Sequence, residues 1–263
     1  MESLAAALPS FTRVCSDNPK PTLDHLILCC LWGNRSDLSL SSGAVDAKLA
    51  VGSEGRLLVN HVWELENHLR RQAKDAVISL VLDNCGAELL ADLRLALFLS
   101  ERFKVMLHVK SHPVFVSDAT SRNVEQHLVR MEASIAMNIR KQMTEERITI
   151  IVDNFYTSPC EFLRAPLSLK EIYARSCVII LKGDANYRRM LLDRYFAPDF
   201  PFGLLCRLTT TTPVFSIRTC KSPVAVGIPL DVVEQARQRD VNWCTNGTCG
   251  TIQFSHAGEY SKV

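Results

Sequence analysis

Acidic and amide side chains stand directly behind apolar runs in this chain, which is the placement that a hard divalent cation requires. VISLVL (77–82) is followed by Asp83-Asn84-Cys85-Gly86-Ala87-Glu88, and the Val114–Val116 run by Ser117-Asp118. Ile148–Val152 is followed by Asp153-Asn154. Cys177–Leu181 leads into Lys182-Gly183-Asp184-Ala185-Asn186-Tyr187-Arg188, and Pro213–Ile217 into Arg218-Thr219-Cys220-Lys221. Mg2+ or Mn2+ takes carboxylate and amide-carbonyl oxygens and keeps positions open for substrate and water. Asp83, Asn84 and Asp118 are the expected ligand set. Such an ion orients a phosphate and acidifies a bound water. Lys182, Arg188 and Lys221 have the charge to neutralise phosphate oxygens, Arg188 in bidentate fashion. A helix starting near Asp184 adds amide donors at its positive end.

Each of these residues also has a plain structural reading. Asp or Asn behind a strand commonly caps the next helix. Asp83 and Asn84 could cap a helix supported by Glu88, and Asp118 could cap one over Val124–Gln142. Asp153 is read as a cap or turn residue, and a lone Lys or Arg as a solvated charge. The gathering of several such residues at one sheet edge is what favours the functional reading.

Other chemistries lack their residues. The seven histidines form no HxH or HExxH pattern, and no GxSxG, GxxxxGK[ST] or GxGxxG motif occurs. The ten cysteines contain no CxxC pair and read as reduced, mostly packing thiols. Cys85 precedes a helix, but no histidine lies near it in sequence to activate it. Trp32, Trp63 and Trp243 read as packing residues.

The elements that must position the strand-end residues alternate between strand and helix. Helices are predicted at Leu23–Trp32 (stopped by Gly33), Leu57–Arg71, Glu88–Leu99, Val124–Gln142, Leu167–Ala174, Tyr187–Tyr195 and Asp231–Gln238. Strands are predicted at 77–82, 105–109, 114–116, 148–152, 177–181, 213–217 and 250–254. Asn34–Ser39 reads as a polar loop. Continuous apolar strands between helices predict an α/β fold: a three-layer αβα, Rossmann-like, mainly parallel sheet with helices on both faces. Ligands of such a sheet bind beyond the carboxyl ends of its strands.

The bulk properties fit. The 263 residues are 47% hydrophobic and 22% charged, with 30 basic and 28 acidic residues and a formal net charge of +2. That balance gives no nucleic-acid footprint. No run reaches the ~18 apolar residues of a membrane span, and the N-terminus lacks the pattern of a signal peptide. A cytoplasmic protein without membrane or nucleic-acid partners is expected. The division expected is a tail at 1–24 and one domain at 25–263.

The same residues carry a family resemblance. Leu31-Trp32-Gly33-Asn34-Arg35-Ser36-Asp37-Leu38-Ser39, Leu82-Asp83-Asn84-Cys85-Gly86-Ala87-Glu88-Leu89, Phe115-Val116-Ser117-Asp118 and Lys182–Arg188 resemble the damage-control phosphatases. Arg218-Thr219-Cys220-Lys221 resembles the RTxK motif of their third subfamily, which includes sugar-phosphate phosphatases also described as acidic-residue methyltransferases. The resemblance implies a three-layer αβα fold. It implies Mn2+, or Ni2+, Co2+ or Mg2+, on Asp83, Asn84 and Asp118. It implies catalytic roles for Asp83, Asp118 and Asp184. Substrate contacts would come from Asp83, Asn84, Lys182, Asp184, Ala185, Asn186, Tyr187, Arg188 and Lys221. Small phosphometabolites such as fructose 1-phosphate or fructose 6-phosphate would be the substrates. Under the alternative, a protein-glutamate methyltransferase, Glu88 and Asp118 would contact S-adenosylmethionine. A third reading is an inactive remnant. The subfamily's helical domain usually precedes LWGN, and with Leu31 so early most of it is expected to be missing here. Ala185 stands where the family has Leu.

Overall fold

The computed structural model describes residues 21–39 and 55–255, and only the backbone of residues 34–39. Its elements, in chain order, are α1 (Leu23–Ser39), β1 (Leu57–Asn60), α2 (Val62–Arg70), β2 (Val77–Val81), α3 (Ala87–Ser100), β3 (Lys104–Lys110), α4 (Ser121–Arg130) and α5 (Ala133–Thr144). They continue with β4 (Ile148–Asp153), α6 (Leu167–Arg175), β5 (Ser176–Lys182), α7 (Gly183–Met190), α8 (Phe202–Thr209), β6 (Val214–Thr219), α9 (Leu230–Arg239) and β7 (Gly250–Phe254). The seven strands belong to one mostly parallel sheet, an α/β fold of the three-layer αβα, Rossmann-like kind that the strand–helix alternation predicted.

The described residues divide into two compact units: residues 21–39 with 82–157, and residues 55–81 with 158–255. The first unit is built around α3. That helix is apolar nearly all round, so it is buried rather than amphipathic: Leu89, Leu90, Leu93, Leu95, Ala96 and Leu99 are all inaccessible. Helix α1, with Leu26, Ile27, Cys30 and Leu31 buried, packs against it. Strands β3 and β4 pair in parallel, from Val105↔Ile148 to Lys110↔Asp153. Thr120 caps α4 through a reciprocal pair with Asn123.

In the second unit the strand order is β1-β7-β6-β5-β2. All neighbours are parallel except β6 and β7, which pair antiparallel from Phe215↔Phe254 to Thr219↔Gly250. β5, β6 and β7 are buried almost throughout, as strands covered on both faces should be. Leu58, Val59, Ile228, Val233 and Trp243 form one of its core clusters.

Several local expectations are corrected. Gly33 does not stop α1, which runs on to Ser39. A Cβ at Gly33 would come within 3.0 Å of the Glu88 Cα, so this glycine serves a close crossing of two backbones. Residues 57–71 are not one helix but β1 followed by α2, because Leu57-Leu58-Val59 pairs with β7. Val114–Val116 is no strand: its side chains are exposed. The long helix over 124–142 is two helices, broken at Met131-Glu132. Helix α7 opens at Gly183, in line with the start expected near Asp184 but ahead of the span Tyr187–Tyr195, and it ends at Met190; α8 lacked a prediction altogether. Trp32 and Trp243 pack inside, whereas Trp63 is exposed. Most of the expected N-terminal tail, and His256, lie outside the described residues. No helix among the described residues is long and apolar enough to cross a membrane.

Candidate functional site

The first unit brings the acidic candidates together. The chain leaves β2 at Leu82, whose amide donates to His108 O of β3, and Asp83 follows. An isolated antiparallel bridge joins Asn84 to Asp118, and Ala119 N–H donates to Asp83 O at 3.0 Å. This backbone pairing sets the two aspartates beside each other. Both are buried, Asp83 at 7% and Asp118 at 3% exposure.

Lys110, the last residue of β3, lies between them. Its Nζ donates to Asp118 Oδ1 at 2.5 Å, to Asp83 Oδ1 at 3.2 Å and to Asp83 O at 3.1 Å. The other carboxylate oxygens are engaged as well. Asp118 Oδ2 accepts the Val114 and Phe115 amides, each at 2.9 Å, and Asp83 Oδ2 accepts the Asn84 amide at 2.9 Å. Asn84 Nδ2 also reaches Glu88 Oε2 at 3.2 Å, and its Oδ1 accepts from Ser117 Oγ at 2.9 Å. None of these side chains is a helix cap. The N-cap of α3 is Gly86, and the capping oxygen of α4 belongs to Thr120. The capping reading of Asp83, Asn84 and Asp118 is therefore corrected.

Asn84, Gly86 and Glu88 are brought to one point by a reversal at Gly86, at φ 85° and ψ −147°. That conformation is open essentially to glycine alone. His127 of α4 fixes the reversal: its Nε2 accepts the Gly86 N–H at 3.0 Å while Nδ1 donates to Asn123 O at 2.7 Å. This pins the neutral tautomer. Burial pushes the His127 pKa down, consistent with that neutral form.

Among the described residues, no group of three His, Cys, Asp or Glu side chains forms a metal cage. The candidate ligands are instead two carboxylates and one amide. They fit a hard divalent ion by donor type, and both aspartates aim an oxygen at one point, the Lys110 Nζ.

The second unit holds the other candidates. β5 passes directly into α7 at Lys182-Gly183, with Gly183 at φ 79°. Lys182 is buried at 1% exposure. Asp184 Oδ1 accepts the Lys221 N–H at 3.3 Å and lies 3.3 Å from Arg218 Nη1, tying α7 to the loop behind β6. Arg218 is 1% exposed. Its Nη1 donates to Val224 O at 2.6 Å, and its guanidinium lies 3.9 Å from the Tyr187 ring centroid, in cation–π contact. Tyr187 stacks on Phe202 and is fully buried, and burial pushes its phenol pKa up. Asn186 Nδ2 donates to Lys182 O at 2.9 Å, and Ala185 is exposed. Arg188 is engaged bidentately by Asp193, with two bonds of 2.7 Å. Lys221 is exposed.

Three residues with a part in these arrangements escaped the sequence reading: Lys110, His127 and Arg218. Lys110 had a readable signal, a lysine ending the apolar strand VMLHVK. Arg218 lies inside the RTxK segment, where the expectation fell on Lys221 alone. The role of His127 depends on a contact 41 residues away in sequence and left no local mark. Asp153 accepts the Phe155 N–H at 2.7 Å, a turn role as expected.

Residues 1–236 match the family described as "Damage-control phosphatase ARMT1-like domain". The damage-control phosphatase ARMT1 of Mus musculus is 32% identical over 256 residues, covering 87% of this chain and 58% of that protein. The Xenopus tropicalis protein of the same name is 30% identical over 262 residues, covering 90% and 60%. The Homo sapiens protein is 31% identical over 254 residues, covering 87% and 58%. The chain thus spans under two thirds of the length of these curated relatives. A crystal structure of a DUF89 family protein from Pyrococcus horikoshii aligns with a TM-score of 0.55 at 15% identity, covering 96% of this chain and 72% of that one. That likeness supports the fold.

Proposed function

We propose, from the premise that this chain belongs to the ARMT1-like damage-control phosphatase family, that it is a divalent-metal-dependent phosphatase of small phosphorylated metabolites. Fructose 1-phosphate and fructose 6-phosphate are the substrates to try first, with Mn2+ as the first ion and Ni2+, Co2+ and Mg2+ behind it. Its place of action in this reading is the cytoplasm. The observation that carries the reading is the convergence of Asp83 Oδ1, Asp83 O and Asp118 Oδ1 on a single cation, the Lys110 ammonium.

Asp83, Asn84 and Asp118 would hold the metal. When bound, the ion supplies Lewis-acid charge to the phosphoryl group and activates water. The remaining work belongs to the chain. The Val114 and Phe115 amides orient the Asp118 carboxylate. Ser117 and Glu88 fix the Asn84 amide. Lys182, Arg188 and Lys221 bind phosphate oxygens, and Asp184 holds the Lys221 backbone in place through its carboxylate. The engagement of Glu88 with Asn84 supports a place in this cluster rather than a contact to S-adenosylmethionine.

The test is phosphate release from both sugar phosphates by the purified chain with Mn2+, Co2+ or Ni2+. Release that depends on the metal and disappears in Asp83→Ala supports the reading. No release with any of the three ions overturns it.

A further inference from the structure

We propose that the Lys110 ammonium is a built-in cation of the acidic centre, and that a divalent metal binds there by exchanging with it. The inference rests on the metal-binding reading above and adds a residue that competes with the ion.

Lysine is rarely buried unless paired. Here the Lys110 side chain is 8% exposed, and its Nζ has three acceptors: Asp118 Oδ1, Asp83 Oδ1 and the Asp83 main-chain carbonyl. An ammonium has three protons and no lone pair, so these contacts use all of its capacity. Lys110 is therefore committed to the aspartates and has no donor left for a phosphate.

The acceptor set is the informative part. Two carboxylate oxygens and one main-chain carbonyl are the hard oxygens that Mg2+ or Mn2+ selects. The aspartate oxygens facing the other way are held by neutral donors: the Val114 and Phe115 amides on Asp118, and the Asn84 amide on Asp83. Both carboxylates are thus braced from behind, with the Oδ1 atoms turned to one cation position. A divalent ion that takes these atoms meets a positive charge already on them. Like charges at this separation oppose each other strongly in a buried setting. The ammonium must leave, and its four-carbon stem gives it the freedom to do so.

Two consequences can be measured without any turnover. Removing the ammonium should tighten metal binding. Binding of the metal should release the amine.

The first measurement is calorimetric titration of Mn2+ alone into the full chain and into Lys110→Met. The variant should bind Mn2+ roughly tenfold more tightly or better, the scale on which one neighbouring like charge acts. Its thermal midpoint without metal should fall, and saturating Mn2+ should raise that midpoint further than in the unmodified chain. Equal or weaker binding by Lys110→Met overturns the exchange and leaves the metal reading standing. Absence of Mn2+ binding in both proteins overturns the metal reading and the exchange with it.

A second measurement stands if the variant fails to fold. The unmodified chain is treated with an amine-acylating reagent, with and without saturating Mn2+, and labelling at Lys110 is followed by peptide mass spectrometry. Labelling should rise severalfold with Mn2+ while that of exposed Lys221 stays constant. Unchanged labelling at Lys110, under conditions where calorimetry shows Mn2+ bound, overturns the proposal.

Discussion

Lys110 and Lys221 both stand at the carboxyl end of a strand, yet their surroundings are opposite. Lys110 is buried with every donor used on Asp83 and Asp118. Lys221 is exposed, and only its backbone is held, by Asp184. The contrast extends to the two units. In the first, the acidic centre is part of the packed interior, so its chemistry and its stability depend on the same contacts. In the second, the packing role falls to Arg218 on Tyr187, while the Lys221 side chain is exposed. A buried centre is held ready at the cost of tolerance to mutation; an exposed cation can change without disturbing the fold.

The largest effect should follow Asp118→Ala. It removes one partner from a buried ammonium and the acceptor of two amides, and breaking such a pair costs about 3–5 kcal/mol. Urea denaturation should show that loss, together with loss of metal-dependent phosphate release. A stable Asp118→Ala protein would break the comparison.

Acid should strike the first unit next. His108 of β3 is buried, and burial pulls its pKa from 6.5 to about 3. The folded state therefore prefers the neutral ring. Its contribution to stability is complete above about pH 6.5 and is lost as the pH falls toward 3. Between pH 6.5 and 4 the hydrogen-exchange protection of β3, corrected for the intrinsic pH dependence of exchange, should fall before that of β6, and His108→Gln should flatten that trend. Simultaneous loss of protection in both strands would count against the assignment.

Gly86→Ala should come third, costing about 1–3 kcal/mol through backbone strain. It should also weaken Mn2+ binding, although no ligand is changed.

The smallest stability effects belong to the second unit. Asp193→Asn breaks a partly exposed pair with Arg188, worth about 0–1 kcal/mol. Freed from that partner, Arg188 should lower the KM for a sugar phosphate if it binds phosphate. Lys221→Ala should leave stability within about 0.5 kcal/mol, while raising KM severalfold. A Lys221→Ala protein that unfolds easily would erase the distinction between the two lysines.

The fold and the acidic residues were legible because each strand is a continuous apolar run with polar residues at its end. That pattern predicted β2, β5, β6 and β7 and put Asp83, Asn84 and Asp118 in view. What escaped reading was set by partners distant in sequence. β1 is a strand because it pairs with β7, although its apolar residues merge into the period of α2. Val114-Phe115-Val116 has strand-like composition but no neighbour to pair with. The break at Met131-Glu132 has no glycine or proline to announce it. Gly33 signalled a stop by propensity and serves instead a backbone crossing at Glu88. The cation between the aspartates comes from the end of β3, whereas Asp83 follows β2 and Asp118 lies in the loop behind β3.

The reversal at Gly86 has a bearing on how such centres decay over generations. Asn84 and Glu88 meet only because the backbone between them takes a conformation reserved for glycine. A single codon change there can dismantle the centre while Asp83, Asn84 and Asp118 all remain written in the gene. A survey of genomes that scores only those three letters would count the lineage as intact.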